Sequence, residues 1–452
     1  MKKRLNWILL IVISMLAITQ LGAGFWQQEE PIRVVLDETE NDYPNGLTFR
    51  LVLDADHPIT KVVLFYQERG DRGTTRQPIE ITPDSYQEIS YLWDTSQITV
   101  APSSPVIYKW EITDEEGNTK VTEEELVYYD DLRFPWKERS DEDLIVRWYE
   151  GDDEFGEYIF DVARRVLDDM VSQAGQGLKF PVIILLYANE EDFESWHFYV
   201  DDWVGGQAFT SKGITTQILS PYSSSGWIQD VIPHEIAHLF FYQAVDSTWA
   251  FWPSWLDEGL AKYYEIGDNS ASLEHVTRAA KDGTLLPLSS LAGGFGRDPE
   301  QVRLSYDESL SAVTYIIETW GDEGIQGLVE TFREGAEQRE AVHQAFGITW
   351  EEFIAAWLTW MGVPATPAPP PTLTPTYEPR AVPPTPRSSW PSATPSPASV
   401  VQVEEPKPTA ETVGSVEQED GDTAFCGGLF GLVLLPGIPW ILRKSMATSK
   451  RS

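Results

Sequence analysis

The stretch Val231-Ile-Pro-His-Glu-Ile-Ala-His-Leu-Phe-Phe-Tyr242 sets two histidines and a glutamate inside a run of apolar side chains. Polar groups in such surroundings are costly to bury without partners, so the fold around this stretch has to supply them. His234 and His238 are four residues apart. On a helix that spacing puts both imidazoles on one face, one turn apart. Pro233 is compatible with a helix whose first turn it occupies. Ile236, Ala237, Leu239 and Phe240 would then bury the rest of the helix.

Two imidazoles one turn apart can share a single zinc ion. Glu235, inside the same H-E-x-x-H pattern, is suited to taking the proton of a water that zinc activates. A third ligand is needed. Pro253-Ser-Trp-Leu-Asp-Glu-Gly-Leu-Ala-Lys-Tyr-Tyr264 offers Glu258, with nineteen residues between it and His238. Two His and one Glu leave the fourth position of one Zn2+ open to water.

His234-Glu235-x-x-His238 followed by Trp255-Leu256-Asp257-Glu258-Gly259-Leu260-Ala261 resembles the gluzincin metallopeptidases of the thermolysin-like superfamily, and more specifically the bacterial peptidase MA-like domains. The Trp-Leu-x-Glu-Gly-x-Ala string also resembles the second zinc helix of the aminopeptidase branch. The likeness covers about 140 to 362 and is strongest from 203 to 264. It implies a zincin-like α+β catalytic domain, zinc on His234, His238 and Glu258, and Glu235 as catalytic base, the same four residues that spacing selects. The Gly-x-Met-Glu-Asn string by which that branch grips a substrate's amino terminus is missing. Trp203-Val204-Gly205-Gly206-Gln207-Ala208 holds the corresponding place. A Gly-rich edge strand suits backbone pairing with extended substrate, although Gly205-Gly206 also reads as a simple turn. This departure favours endopeptidase over aminopeptidase action.

Asp257 reads equally as a residue that orients a ligand histidine and as a solvated helix position. A donor to the developing oxyanion is expected. Tyr306, on the helix after the zinc pair, is the candidate, with Tyr315 and His343 as rivals. His197, between Trp196 and Phe198, reads as a packed or surface histidine.

Upstream, residues 31–132 read as a β module. Leu47–Leu53, Lys61–Tyr66 and Val106–Ile112 alternate apolar and polar residues, with turn signals such as Pro44-Asn45-Gly46 and Glu116-Gly117-Asn118 between strands. That pattern predicts a sandwich of the immunoglobulin or fibronectin III kind, acting as a spacer or binding another surface component. Residues 140–362 open with a strand at Leu144–Tyr149, a helix at Phe155–Val171, a strand at Phe180–Tyr187 and a short helix at Glu190–Phe198, then become mainly helical. That is an α+β layout. The expected architecture is multidomain.

The ends give an address. Lys2, Lys3 and Arg4 precede an apolar run and then Gly22, Ala23 and Gly24, so residues 1–24 read as a signal peptide or N-terminal anchor. Residues 363–423 form a Pro/Thr/Ser-rich and then acidic stalk. Residues 424–442 are apolar and long enough to span a bilayer, and the tail 443–452 is basic, which predicts that it stays cytoplasmic. The folded part is expected at the cell surface. The lone Cys426 lies at the membrane boundary and excludes an intramolecular disulfide. A formal charge of -38 excludes phosphate-based binding of nucleic acid. The alternative reading is a surface binding or adhesion protein with a structural or inactive zincin domain. Glu235 favours the enzyme, because a structural zinc site has no use for that base.

Overall fold

The structure is a computed structural model, and it describes residues 30–197, 206–246 and 251–363. The expected signal at 1–24, the stalk beyond Val363, the span at 424–442 and the basic tail lie outside the described residues, as do Trp203, Val204 and Gly205. Among the described residues no helix is long and apolar enough to cross a membrane.

An all-β unit comes first. It comprises β1 (Ile32–Asp42), β2 (Gly46–Glu68), β3 (Thr75–Ile79), β4 (Asp84–Asp94), β5 (Ser104–Asp114), β6 (Thr119–Val121) and β7 (Glu125–Tyr129). Where the sequence suggests several short strands, β2 runs for 23 residues. Its first part pairs with β1 and β4, its second with β3 and β5. Leu47, Phe49, Leu51 and Leu53 are buried, then Val62, Leu64 and Tyr66. The set that packs into the core of this unit changes from odd to even numbers at the register shift between Ile59 and Lys61, as one inserted residue requires. The seven strands are thereby joined in one hydrogen-bonded sheet through a shared strand, whereas an immunoglobulin-type sandwich keeps two sheets apart.

A second, five-stranded sheet follows. It contains β8 (Lys137–Ser140), β9 (Leu144–Trp148), β10 (Val182–Tyr187), β11 (Gly206–Phe209) and β12 (Ile214–Ile218), in the order β11-β12-β10-β9-β8. The three inner strands are parallel, and the two edges run antiparallel to them. All six residues of β10 are buried, so both faces of this strand must be covered. One face (Leu144, Val146, Val182, Ile184, Leu186) packs under α1 (Asp153–Ala174) and α3 (Ser225–Val245). The other (Ile183, Leu185, Tyr187, Ile214) joins the core of the β unit, together with Phe193 of the short helix α2 (Glu190–Glu194) and Trp196. Each fully buried aliphatic side chain is worth about 1.5–3 kcal/mol, so this is no loose tether. Polar links reinforce it. The Tyr187 hydroxyl donates to Asp131 Oδ2 (2.8 Å), and Arg147 donates to Asp130 Oδ1 (2.6 Å) and Ser103 Oγ (2.7 Å). Lys212 pairs with Glu68. The β unit is a second wall of the sheet, not a spacer.

The helical half contains α4 (Ser254–Tyr264), α5 (Ser270–Asp282), α6 (Pro299–Arg333), α7 (Gln338–Phe346) and α8 (Trp350–Trp360). The helix α6 is broken at Gly321, whose φ of 61° suits glycine. Helices α4 and α6 touch at Gly259. A Cβ there would lie 2.5 Å from the Ser309 carbonyl oxygen, so glycine is what lets the backbones approach.

Candidate metal centre

Helix α3 starts at Ser225, capped by the Ser224 side chain, which accepts from the Trp227 amide. Pro233 therefore sits in the helix interior rather than in its first turn, which corrects the sequence expectation. The cap lies well upstream, and with apolar Ile228, Val231 and Ile232 buried it extends the helix past the position where a proline is normally tolerated. His234 and His238 lie one turn apart, their ring centroids 4.9 Å apart. Helix α4 buries Trp255, Leu256, Glu258, Gly259, Leu260 and Ala261 and brings Glu258 to the two rings.

Glu258 Oε2 is 3.5 Å from His234 Nε2 and 3.7 Å from His238 Nε2. Ligand atoms held tetrahedrally at zinc's usual bond lengths stand about 3.4 Å apart. The three residues can each turn one ligand atom to within 4.8 Å of the other two. Both oxygens of Glu258 are buried without a hydrogen-bond partner. The opposite ring nitrogens are occupied. His234 Nδ1 lies 2.9 Å from Glu265 Oε1, and His238 Nδ1 lies 3.0 Å from Asp257 Oδ2. Those carboxylates fix each Nδ1–H as a donor, so the Nε2 lone pairs face the Glu258 carboxylate. Lone pairs facing an anion repel unless a cation or a proton lies between them.

The electrostatics say the same. Burial acts to lower the His234 pKa, but the facing Glu258 and Glu265 carboxylates prevail and push it up to about 10. Burial is likewise overcome at His238 by Asp257 and Glu258, and that ring is pushed up to about 9. Four carboxylates, including Glu235, crowd this centre against Lys262, which is bonded to Glu265. A divalent cation meets that demand as two protons do, so the residues fit zinc. Among the described residues, the other cluster of comparable donors, His57 with Glu115 and Glu116, is largely exposed.

Glu235 is buried beside the centre. Burial raises its pKa, His234 and His238 oppose that, and Glu258 and Asp257 add to it. Of the three donor candidates, Tyr306 is the one in the field of the centre. Its pKa is raised first by burial and then by Glu258, Glu235, Asp257 and Glu265, and Phe295 packs edge-on against its ring. Tyr315 lies instead among Trp320, Phe353 and Trp360, and His343 is exposed on α7. Asp257 takes the orienting alternative, held in turn by the Trp252 indole (3.0 Å). His197 is packed between Phe193 and Trp196, with Nε2 3.0 Å from Gln207 of the edge strand β11. Sequence reasoning missed Glu265. No helical spacing marks it, because it lies just past the end of α4 in non-helical backbone.

Because outer-shell carboxylates set the tautomer and basicity of ligand histidines, Glu265→Gln is expected to weaken zinc binding by about 10–100-fold. Titration against a chromophoric chelator measures it, and an unchanged affinity would remove Glu265 from the centre.

The H-E-x-x-H helix α3 and the carboxylate from α4 bring together His234, His238 and Glu258 as a group that could hold a metal ion. Residues 162–363 match the family model described as Peptidase MA superfamily, which supports a zinc metallopeptidase of the gluzincin kind. Among solved structures the chain is similar to a mutant M1 zinc metallopeptidase from Deinococcus radiodurans bound to a Tyr-Ser-Ala substrate, at 13% identity and a TM-score of 0.35, over 72% of this chain and 91% of that one. It is also similar to the M1 zinc metallopeptidase from the same organism, at 12% identity and a TM-score of 0.33, over 72% and 91%. No curated protein matches the chain.

Proposed function

We propose that this chain is a peptidase acting outside the cytoplasm, in which His234, His238 and Glu258 hold one zinc ion and Glu235 is the general base. The observation that carries this reading is the convergence of two histidine Nε2 atoms on a buried carboxylate with no hydrogen bond of its own, beside a second buried glutamate. Zinc, when bound, polarises the scissile carbonyl and makes water a nucleophile near neutral pH. Glu235 takes the proton of the attacking water and returns it to the leaving nitrogen as the C–N bond breaks. Tyr306 donates its hydroxyl hydrogen bond to the carbonyl oxygen as negative charge grows there.

Substrate orientation falls to β11, the edge of the five-stranded sheet. The Gln207 carbonyl turns inward, toward the Thr215 and Thr216 hydroxyls of β12. Peptide groups alternate along a strand, so those flanking Gln207 turn outward and can pair with an extended peptide. The lack of a Gly-x-Met-Glu-Asn string supports endopeptidase rather than aminopeptidase action. Signal-like residues 1–24 and the apolar run 424–442 with basic residues after it support a cell-surface location with a membrane anchor.

The test is metal content and hydrolysis of a peptide library by the full chain, before and after chelation. One zinc per chain, with hydrolysis lost on chelation and regained on adding zinc, is expected. A chain that binds no zinc refutes the reading. Zinc without turnover on any peptide would favour a binding protein.

A further inference from the structure

Pro233 stands inside α3, one residue before a candidate zinc ligand, where a helix tolerates proline poorly. Having no N–H, it leaves the Gln229 carbonyl, four residues back, without its helical donor. That carbonyl is not wasted. It accepts from the Ile266 amide at 3.0 Å, just after α4 ends. The neighbouring residues follow it in. Gly267 comes so close to α3 that a Cβ on it would lie 2.7 Å from Asp230 Oδ1, and its amide bonds the Asp230 carboxylate. The residue before Ile266 is Glu265, whose Oε1 takes His234 Nδ1 at 2.9 Å.

We propose that Pro233 is a positioning residue for the metal centre: by denying Gln229 its helical donor, it hands that carbonyl to Ile266 and so sets Glu265 against the outer nitrogen of His234. The fault in the helix and the outer-shell carboxylate are then two ends of one device. The end of α4 is tied across to α3 within about one turn of the histidine that its own carboxylate orients. Helix propensity is given up at residue 233 in exchange for a fixed ring at residue 234. The inference rests on His234 being a zinc ligand, as proposed above.

Pro233→Ala in the full chain supplies the missing N–H. The Gln229 carbonyl can then turn back along the helix axis to residue 233 and release Ile266. Three measurements are made on wild type and variant: zinc affinity against a chelator, hydrogen exchange at the Ile266 amide, and the melting temperature of the metal-free protein. The expected result is a zinc Kd raised about tenfold and faster exchange at Ile266, with a melting temperature that stays level or rises because a helix-breaking residue has gone. A loss that came only from general damage would lower the melting temperature. An unchanged zinc affinity, retained protection of Ile266, or a fall in melting temperature would each overturn the proposal. Failure of the wild-type chain to bind zinc would strike the zinc-peptidase reading instead.

Discussion

Glu235→Gln is expected to lower kcat by about a thousandfold while leaving zinc bound at the wild-type level. The side chain is 5% exposed and adjoins His234 in the chain, so glutamine fills the same space and changes only the capacity to accept a proton. Burial raises the Glu235 pKa against the pull of the two histidines, which makes it a stronger base than a solvated carboxylate and brings it nearer the working pH. Steady-state kinetics with metal analysis on the same samples decide the matter. Activity within about tenfold of wild type would remove Glu235 from the reaction. Loss of zinc along with activity would make it a structural residue.

A second large effect is expected away from the metal and without substrate. Glu308 of α6 is fully buried. One oxygen accepts from the Leu286 amide at 2.8 Å, and the other is buried without a partner. Burial therefore pushes its pKa from 4.5 up to about 8, with the Leu286 amide opposing and Asp307 adding repulsion. The sign follows from proton counting. Between about pH 4.5 and pH 8 the folded chain keeps this proton and the unfolded chain gives it up, so stability from this group is full below that window and is lost as pH rises through it. Over the whole window the loss is on the order of 4 kcal/mol. Glu308→Gln cannot ionise and keeps an acceptor for Leu286. The variant should match or trail wild type near the lower end of that window, exceed it increasingly through the window, and keep a level advantage above its upper end. Urea unfolding at several pH values gives the difference curve, in which the rest of the chain's acidic charge cancels. A flat curve would mean that Glu308 is solvated or already paired.

The metal centre was the more legible part of the sequence because its chemistry is local. H-E-x-x-H and the following glutamate select His234, Glu235, His238 and Glu258 by spacing and residue type, and α3 and α4 bring the two histidines and Glu258 together. Glu265 was not legible, since its position depends on a backbone bond from Ile266 to Gln229 that no periodicity encodes. The same bond explains the misplaced helix start: a rule that keeps proline out of helix interiors assumes that the freed carbonyl has nowhere to go. In the β unit the alternation of Leu47–Leu53 and Lys61–Tyr66 was readable, but nothing in Asp54-Ala-Asp-His-Pro58 announced that one continuous strand crosses it. In β10, Val-Ile-Ile-Leu-Leu-Tyr shows no alternation, which announces a strand covered twice. Nothing in the string says that the second cover is the unit preceding it.

That second cover bears on how such a chain can be assembled over generations. A module joined by a linker can be exchanged by recombination, because its neighbours do not notice what replaces it. Here Ile183, Leu185, Tyr187 and Ile214 pack against particular partners upstream. A different module grafted at the same junction would meet a greasy face it was never shaped for, and a peptidase half inherited alone would stick to its own copies through that face. The two parts have to travel as one heritable unit.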